Sequence, residues 1–283
     1  MKWKQFLTPT RSMSADQAKD AMASKKEGTY LLLDVRQPHE YDSGHIPGAK
    51  LLPLPRLTDH LSELDPEKPT FVYCAVGGRS RVAAQLLSGQ GFKDVINMQG
   101  GIAAWEGKKA VGPVEIETVT LDEKAKPESI IPLAYRLEEG LRSFYDTMSS
   151  HLKEEQVVSL FGTLASVEVK HKEQLFDLYA EYNPSTSDQK AFEADIDKSI
   201  MEGGFTTEEF IAKNRTAINT VQDVIELAMT IETQALDLYS RLADKSKDKG
   251  AQEVFYTLVE AEKAHLKTLG ELFNQKGTEP LAL

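Results

Sequence analysis

Apolar positions change their spacing near residue 110, and this change divides the chain into two regions. In the first region, short apolar runs at Tyr30–Val35, Thr70–Tyr73 and Asp94–Met98 have the length and residue types of buried strands. Helical patterns lie between them at Ser14–Ser24, which opens with a Ser-x-x-Gln capping sequence, and at Arg81–Ser88. This alternation predicts an α/β domain in which helices flank a central, mainly parallel sheet.

In the second region, apolar residues recur at three- and four-residue steps from Ile130 to Gln275, as in amphipathic helices. They predict an all-α four-helix bundle, with helices at about 128–150, 154–182, 207–244 and 249–275 and a short extra helix at Gln189–Ile200. The stretch 113–127, which contains two prolines, is typical of a linker. We therefore expect one domain at 1–112 and a second at 128–283.

Charge is distributed unevenly between the two regions. Residues 1–114 hold 15 Lys and Arg against 12 Asp and Glu, a net of +3, whereas residues 115–283 hold 18 against 32, a net of −14. The acidic region would repel phosphates, so we expect neither nucleic acid nor an anionic membrane as a partner. No apolar run approaches the ~20 residues of a membrane span. The single cysteine, Cys74, excludes an internal disulfide and fits a reducing compartment, so we expect a cytoplasmic protein.

The helical region repeats itself, without gaps, at an offset of 94 residues. Most of the identical pairs are apolar and suit the cores of two similar helix pairs. Three pairs are ionisable, and each member lies on an otherwise apolar helix face: Glu138/Glu232, Glu168/Glu262 and His171/His265. Tyr145 and Tyr239 also recur, and we assign them to the core. Ionisable groups on an apolar face are costly unless they are paired or bound to metal.

Four glutamates and two histidines that converge inside a bundle form the ligand set of carboxylate-bridged di-iron and di-manganese proteins. Oxygen-rich ligands with two imidazoles suit Fe(II) or Mn(II), and two divalent cations would offset four buried carboxylates. The alternative is a set of buried salt bridges that holds no metal.

The second region resembles the rubrerythrin branch of the ferritin-like superfamily over about residues 128–275. Four segments carry the resemblance: Leu137–Tyr145, Ala165–His171, Thr230–Tyr239 and Val259–His265. It implies a ferritin-like bundle with two irons, or manganese or zinc in the isolated protein. It also implies the metal ligands, which are Glu138, Glu168, His171, Glu232, Glu262 and His265, with Glu168 and Glu262 bridging the metals.

The sequence departs from the rubrerythrin pattern at two points. Ala235 stands where rubrerythrins carry an extra glutamate, and one cysteine cannot build their four-cysteine iron centre. We therefore expect an external electron donor. Because ferritin-like bundles often dimerise, we also expect a homodimer.

In the first region, Cys74 ends an apolar run and begins the loop Cys-Ala-Val-Gly-Gly-Arg-Ser-Arg. Ligands in parallel α/β sheets lie beyond the carboxyl ends of strands, where a glycine-containing turn aims backbone N–H groups inward. These groups, the following helix N-terminus and the cations Arg79 and Arg81 should lower the pKa of Cys74 and favour a nucleophilic thiolate. The alternative is a buried structural cysteine.

Residues around this loop resemble the rhodanese sulfurtransferase domain over about 10–108. The segments that carry the resemblance are Leu33–Arg36, Glu40–Ala49 and Gly100–Trp105. It implies that Cys74 accepts sulfane sulfur as a persulfide and that Arg79 acts with it, within a binding loop of Ala75, Val76, Gly77, Gly78 and Ser80. We interpret Asp34, Arg36 and Arg81 as supporting residues and His45 as structural.

Phosphatase chemistry is the main rival for a loop that joins Cys to Arg. Phosphatases of related fold place five residues between the two, whereas this loop has four, and the tighter loop favours sulfur. Because no second cysteine is present to resolve a persulfide, an outside thiol or cyanide must accept the sulfur.

We therefore expect a sulfurtransferase that moves sulfur from thiosulfate or a small persulfide, fused to a di-iron domain that reacts with oxygen or peroxide or oxidises iron. One hypothesis couples the two, with the bundle oxidising sulfur species from the first domain. The alternatives are an iron-binding, storage or oxidative-stress protein whose first domain docks or senses a partner, and a regulatory scaffold.

Overall fold

The computed structural model describes residues 10–112, 127–186, 188–195 and 220–275. The chain separates into two compact units, Met1–Ile116 and Glu117–Leu283. Of the proposed linker 113–127, only Pro127 is among the described residues, where it begins a helix. None of the helices in the described ranges combines the length and apolar character that a membrane span requires.

The first unit is built on a five-stranded sheet. Its strands are β1 (Arg11–Met13), β2 (Leu31–Asp34), β3 (Lys50–Leu51), β4 (Thr70–Tyr73) and β5 (Val95–Met98). Their spatial order is β1-β5-β4-β2-β3, and every neighbouring pair is parallel. The prediction of a mainly parallel sheet is confirmed.

Helical segments connect the strands of this sheet. They are α1 (Ala15–Ala23), α2 (Pro38–Asp42), a 3-10 segment at Leu54–Glu63, α3 (Gly78–Gly89) and a 3-10 turn at Gly101–Ala104. The predicted capping box at the start of α1 is confirmed, because Ser14 Oγ accepts from Gln17 N at 3.2 Å and Ser14 N donates to Gln17 Oε1 at 3.0 Å.

Strand β4 is buried on both faces, which explains its continuous apolar run. Phe71 and Tyr73 pack into the core on one face of the sheet. Val72 and Cys74, two positions further along, pack into the core on the other face, against Ala83 and other residues of α3. The strand therefore delivers Cys74 to the end of the sheet on the side that α3 covers.

The second unit is a helical bundle, as expected. Its described helices are α4 (Pro127–His151), α5 (Glu155–Tyr182), the short α6 (Gln189–Asp195), α7 (Val221–Lys245) and α8 (Lys249–Gln275). A shift of 94 residues superimposes the bounds of α4 on those of α7, and the start of α5 on that of α8. Helix α4 packs against α5 and α7 against α8, while α5 also contacts α8 and α4 contacts α7.

Several element boundaries differ from the prediction. Strands β1 and β3 were not predicted because two or three partly exposed residues carry no periodic signal. Helix α3 begins at Gly78 rather than Arg81, since the loop glycines already form its first turn. The third predicted helix, 207–244 with a possible break near Asn214–Thr216, does not run continuously through Thr220, since α7 begins at Val221 after extended Thr220, whose side chain accepts from Asp223 N. Residues 196–219, including the end of the predicted helix Gln189–Ile200, lie outside the described residues.

Candidate active site and candidate metal centre

The loop after β4 is hydrogen-bonded to the turn that follows β5. Ile102 N donates to Cys74 O at 2.8 Å, and Ala103 N donates to Ala75 O at 3.1 Å. Gly101 makes this contact possible, because a Cβ at that position would lie 2.2 Å from Cys74 O. With these carbonyls directed toward the turn, the N–H groups of the loop are free to face the sulfur.

The sulfur of Cys74 lies in a nest of donors at the N-terminus of α3. Gly77 adopts a left-handed conformation, φ +97°, and its N–H donates to Cys74 Sγ at 3.1 Å. Burial raises the pKa of Cys74, but hydrogen bonds from the Ser80 side chain and from the backbone of Val76, Gly77 and Ser80 outweigh it. The pKa of the thiol therefore lies below its usual value, which favours the nucleophilic thiolate.

Ser80 links the sulfur to the interior of the sheet. Its hydroxyl lies 3.5 Å from Cys74 Sγ and donates to Asn97 Oδ1 at 2.7 Å. Asn97 Nδ2 in turn donates to Ser12 Oγ at 3.4 Å. Ser80 and Asn97 are almost fully buried, so the chain of hydrogen bonds runs from the sulfur through the protein to β1.

Arg79 stands beside Cys74 and is held by Glu40. Two of its guanidinium nitrogens donate to the two Glu40 oxygens at 2.7 Å each, and Glu40 also accepts from Gln37 N at 3.0 Å. The bond to Arg79 lowers the pKa of Glu40 to about 2, so this carboxylate stays ionised. The bidentate pair fixes both the orientation and the charge balance of Arg79.

The remaining residues of the predicted site fall into two groups. Val76, Gly78 and Arg81 are exposed at the mouth of the loop, with 71% of Val76 accessible, whereas Ala75 and Gly77 are half-buried. Within the part of the chain that the structure describes, Cys74 Sγ has hydrogen bonds with Gly77 and Ser80 and none with Arg81.

Asp34 and Arg36 form a buried ion pair on β2 and the loop after it. Arg36 donates to both Asp34 oxygens and, at 2.8 Å, to Gly44 O, so the pair fastens the loop that follows α2. His45 lies in that same loop, fully buried and stacked on the ring of Tyr41 at 3.5 Å. These positions are those of framework residues.

In the bundle, the six predicted ligands meet in one buried centre. The four glutamates are fully buried and the two histidines are 5% and 6% exposed. Two overlapping groups have donor atoms within 4.8 Å of one another: Glu138, Glu168, His171 and Glu262, and Glu168, Glu232, Glu262 and His265. Glu168 and Glu262 belong to both groups, so they lie where bridging carboxylates would be needed.

The two histidines occupy equivalent places in the repeat. His171 Nδ1 lies 2.7 Å from Glu168 Oε2 and 3.0 Å from Glu138 Oε2. His265 Nδ1 lies 3.1 Å from Glu262 Oε2 and 3.3 Å from Glu232 Oε1. His171 therefore faces one shared and one unshared carboxylate. His265 also lies 3.4 Å from Glu168 Oε1, so it faces both shared carboxylates and one unshared one.

Four carboxylates cannot all be ionised at such short range without compensating charge. Burial, and then the charge of a neighbouring glutamate, raise the pKa of Glu168 and Glu262. Burial also raises the pKa of Glu138 and Glu232, but hydrogen bonds from neighbouring glutamates and histidines outweigh it and leave both lowered. Without cations, protonation of the shared pair is therefore favoured over protonation of the unshared pair.

The centre fits two divalent cations. Glu168 Oε1, Glu232 Oε2 and Glu262 Oε1 are buried and accept no hydrogen bond. Orphaned carboxylate oxygens in an interior are costly, and a cation would satisfy them. Glutamate and imidazole are donors that Fe(II) and Mn(II) accept.

Two tyrosines that the sequence assigned only to the core also contact this centre. Tyr145 donates to Glu232 Oε1, and Tyr239 donates to Glu138 Oε1, so each repeat supplies a hydroxyl to the glutamate of the other. Their recurrence seven residues after a buried glutamate was the available signal. Ala235, the departure from the rubrerythrin pattern, is buried and apolar.

Two residues near Cys74 were also missed as contributors to the site. Asn97 is a polar residue inside the apolar run of β5, and such a residue needs a buried partner. Glu40 had no comparable signal, since its contact with Arg79 joins positions 39 residues apart.

These features define a two-domain chain: an α/β domain with a cysteine in a nest of hydrogen-bond donors, and a helical bundle with a carboxylate and histidine centre. The model of the rubrerythrin family matches residues 129–273, and that of the rhodanese-like domain matches residues 14–108. The chain belongs to the rubrerythrin family and carries an N-terminal rhodanese-like domain. The expected fusion is confirmed.

Individual relatives match part of the chain. It is 48% identical over 81 residues, 27% of its length, to Rhodanese-like/PpiC domain-containing protein 12, chloroplastic, of Arabidopsis thaliana, and spans 27% of that protein. It is 40% identical over 91 residues, 32% of its length, to thiosulfate sulfurtransferase GlpE of Pseudomonas putida, and spans 79% of it. A crystal structure of a rhodanese-like domain protein from Staphylococcus aureus is 30% identical, with a TM-score of 0.33, covering 36% of this chain and 98% of that one.

Proposed function

We propose that the N-terminal domain is a sulfurtransferase that carries sulfane sulfur on Cys74, with thiosulfate or a small persulfide as donor. The observation that carries this proposal is the nest of donors on Cys74 Sγ, led by the 3.1 Å bond from Gly77 N. Such a nest stabilises a thiolate, and afterwards the negative outer sulfur of a persulfide.

The reaction has two balanced steps. The Cys74 thiolate attacks the sulfane sulfur of thiosulfate, a bond forms between the two sulfurs, and sulfite leaves with the electron pair of the broken bond. An acceptor, cyanide in an assay or a thiol in a cell, then attacks the outer sulfur and regenerates the thiolate. Arg79, held by Glu40, lies beside the sulfur and orients the anionic donor.

Thiocyanate formation from thiosulfate and cyanide tests this function. Cys74→Ala should abolish turnover, because no other cysteine can take its place. Glu168→Gln, a change in the metal centre, should leave turnover unchanged and serves as the control for general damage. A wild-type chain that forms no thiocyanate, and gains no sulfur on Cys74 by mass spectrometry after exposure to thiosulfate or glutathione persulfide, would contradict the proposal.

We also propose that the bundle holds two irons through Glu138, Glu168, His171, Glu232, Glu262 and His265. The orphaned oxygens of three of these glutamates support the proposal. Bound iron would supply electron exchange with oxygen or peroxide. The chain's own residues hold the charge: the shared glutamates exchange their protons for cations, and the tyrosines hold the unshared glutamates in place.

Metal analysis tests the second site independently of catalysis. Protein purified anaerobically with ferrous iron should hold about two irons per chain. Glu168→Ala should lose them, while Glu173→Gln, an exposed change on the same helix, should retain them. A folded bundle that binds no iron or manganese would overturn the assignment.

Four further parts of the proposal concern the whole chain. We place it in the cytoplasm because a free nucleophilic thiol fits a reducing compartment. We expect a homodimer and an external electron donor. Oxidation by the bundle of sulfur delivered on Cys74 remains a hypothesis, and peroxide consumption that depends on a persulfide donor and on Cys74 would support it.

A further inference from the structure

A buried asparagine lies in β5 beside the Cys74 loop. Asn97 is 1% exposed among apolar neighbours in the strand, and a buried amide is costly unless both of its ends are bonded. Its Oδ1 accepts from Ser80 Oγ at 2.7 Å and its Nδ2 donates to Ser12 Oγ at 3.4 Å. Asn97 therefore connects the reacting sulfur with an exposed hydroxyl on β1.

The Ser80 hydroxyl has one proton and two acceptors within reach, Asn97 Oδ1 at 2.7 Å and Cys74 Sγ at 3.5 Å. While the proton points to Asn97, a lone pair of Oγ faces the sulfur. That arrangement suits a thiol, whose S–H can donate to the lone pair. A thiolate needs the reverse, a proton directed at the sulfur, and this would take the hydroxyl away from Asn97 Oδ1.

We propose that Asn97 is a positioning residue for Cys74, and that the side-chain amide of Asn97 rotates when the charge on the sulfur changes. Half a turn about the Cβ–Cγ bond exchanges the places of Oδ1 and Nδ2. Nδ2 then donates to Ser80 Oγ, Ser80 donates to the thiolate, and the Ser12 hydroxyl donates to Oδ1. Oδ1 and Nδ2 of Asn97 and the Ser80 hydroxyl each keep a hydrogen-bond partner in both arrangements, and the proton from the thiol leaves to solvent.

The use of this device during turnover rests on the proposed function. In a persulfide the negative charge lies on the outer sulfur and Sγ is neutral, so the Ser80 hydroxyl returns to Asn97. Asn97 thus allows Ser80 to follow each charge state of Cys74 without leaving a buried group unpaired. Nearby charge is the same in both arrangements, since Arg79 of α3 lies beside Cys74 and is tied to Glu40 of α2.

Alkylation of Cys74 by iodoacetamide across a range of pH tests the proposal. Asn97→Asp keeps the shape but removes the donor, so the thiolate should form at higher pH and alkylation at neutral pH should slow about tenfold. The same change should matter less in a Ser80→Ala background, because Asn97 acts through Ser80. Ser80→Thr, which keeps the hydroxyl, should resemble the wild type. An unchanged alkylation profile in folded Asn97→Asp would overturn the proposal.

A measurement on the wild type covers the case in which the variant does not fold. The side-chain amide resonances of Asn97 should titrate with the midpoint of Cys74 alkylation, since their partner changes from Ser12 to Ser80. Amide resonances that stay constant through that midpoint would exclude rotation of the Asn97 amide. Neither readout requires sulfur transfer, so a chain that passes both tests yet forms no thiocyanate would contradict the proposed function alone.

Discussion

At Cys74, one sulfur is surrounded by backbone N–H groups and a hydroxyl, whereas in the bundle four carboxylates and two imidazoles meet with few other partners. The donors of the loop are dipoles fixed by the backbone, through Gly77 and the turn at Gly101. They favour a negative charge at little cost when that charge is absent. The carboxylates of the bundle, by contrast, carry the negative charge themselves, and all four are fully buried.

This difference sets what each site needs from outside. The loop is complete without its substrate, because its N–H groups already have the sulfur as a partner. The bundle centre has buried carboxylate oxygens that accept no hydrogen bond, and the raised pKa values of Glu168 and Glu262 favour protons in place of cations. Stability should therefore depend strongly on ligand in the bundle and weakly in the rhodanese-like domain.

The largest effect should come from Glu262→Gln, which removes one of the two shared carboxylates. Iron content should fall from about two per chain to below one, since both metals would lose a ligand. The metal-free bundle should melt a few degrees higher at neutral pH, because burial beside Glu232 raises the pKa of Glu262 and its ionisation opposes folding. Calorimetry and metal analysis measure both.

Glu253→Gln is the matched control for this prediction, since it is an exposed carboxyl on the same helix. It should change neither iron content nor melting temperature. If Glu262→Gln destabilised the metal-free bundle instead, its carboxylate would be a structural partner, and the contrast with the loop would fail.

The next effect concerns the tyrosines that cross between the repeats. Tyr145→Phe and Tyr239→Phe each remove a hydrogen bond to an unshared glutamate, and each should weaken metal binding about 10–100-fold. Because the repeat makes the two environments equivalent, the two losses should be similar. Competition with a chelator measures them, and Tyr256→Phe, near the surface of α8, is the control. A loss in only one variant would show that the two halves are not equivalent.

The metal-free bundle should also become less stable as pH rises. Glu168 and Glu262 have pKa values above those of the unfolded chain, so their contribution is present below about pH 4.5 and is lost as pH rises through the folded values. Burial lowers the pKa of His265, but the hydrogen bond and charge of Glu232 outweigh burial and leave the pKa raised. The contribution of His265 to stability therefore also falls with rising pH. Glu138 and Glu232, whose pKa values are lowered, lose their contribution only in acid.

Melting temperatures from about pH 5.5 to about pH 8.5 check this sign. They should fall for the metal-free chain and stay level for the iron-loaded chain, in which cations replace the protons. Parallel curves for the two forms would mean that the shared glutamates do not control the stability of the bundle.

How much the sequence predicts also differs between the two regions. The bundle could be predicted because its repeat and its helical periodicity act over more than a hundred residues, and the inward face of each helix followed from near neighbours. The start of α7 was missed because apolar spacing continues before Thr220, although the capping box at Thr220 and Asp223 marks it. The spacing of apolar residues shows which side chains share a helix face, whereas the start of a helix depends on one capping residue.

Around Cys74, the local loop could be predicted and the distant contacts could not. The loop glycines and the helix after them gave the nest. Three contacts join residues that are distant in the sequence. Gly101 packs against Cys74, Ser80 bonds to Asn97 17 positions away, and Arg79 pairs with Glu40 39 positions away. Such contacts depend on strand order, which periodicity alone does not fix.

The smallest effect should come from Glu40→Gln, which tests whether Arg79 needs its partner. The amide cannot replace two charge-assisted bonds, so Arg79 should be less well oriented and kcat/KM for thiosulfate should fall about threefold to tenfold. The effect is modest because both side chains are partly exposed and solvent screens the pair. Glu67→Gln, which breaks an exposed pair with Lys93, should have no effect. Equal activity of the two variants would mean that the loop alone positions Arg79, and that the pair with Glu40 does not contribute to catalysis.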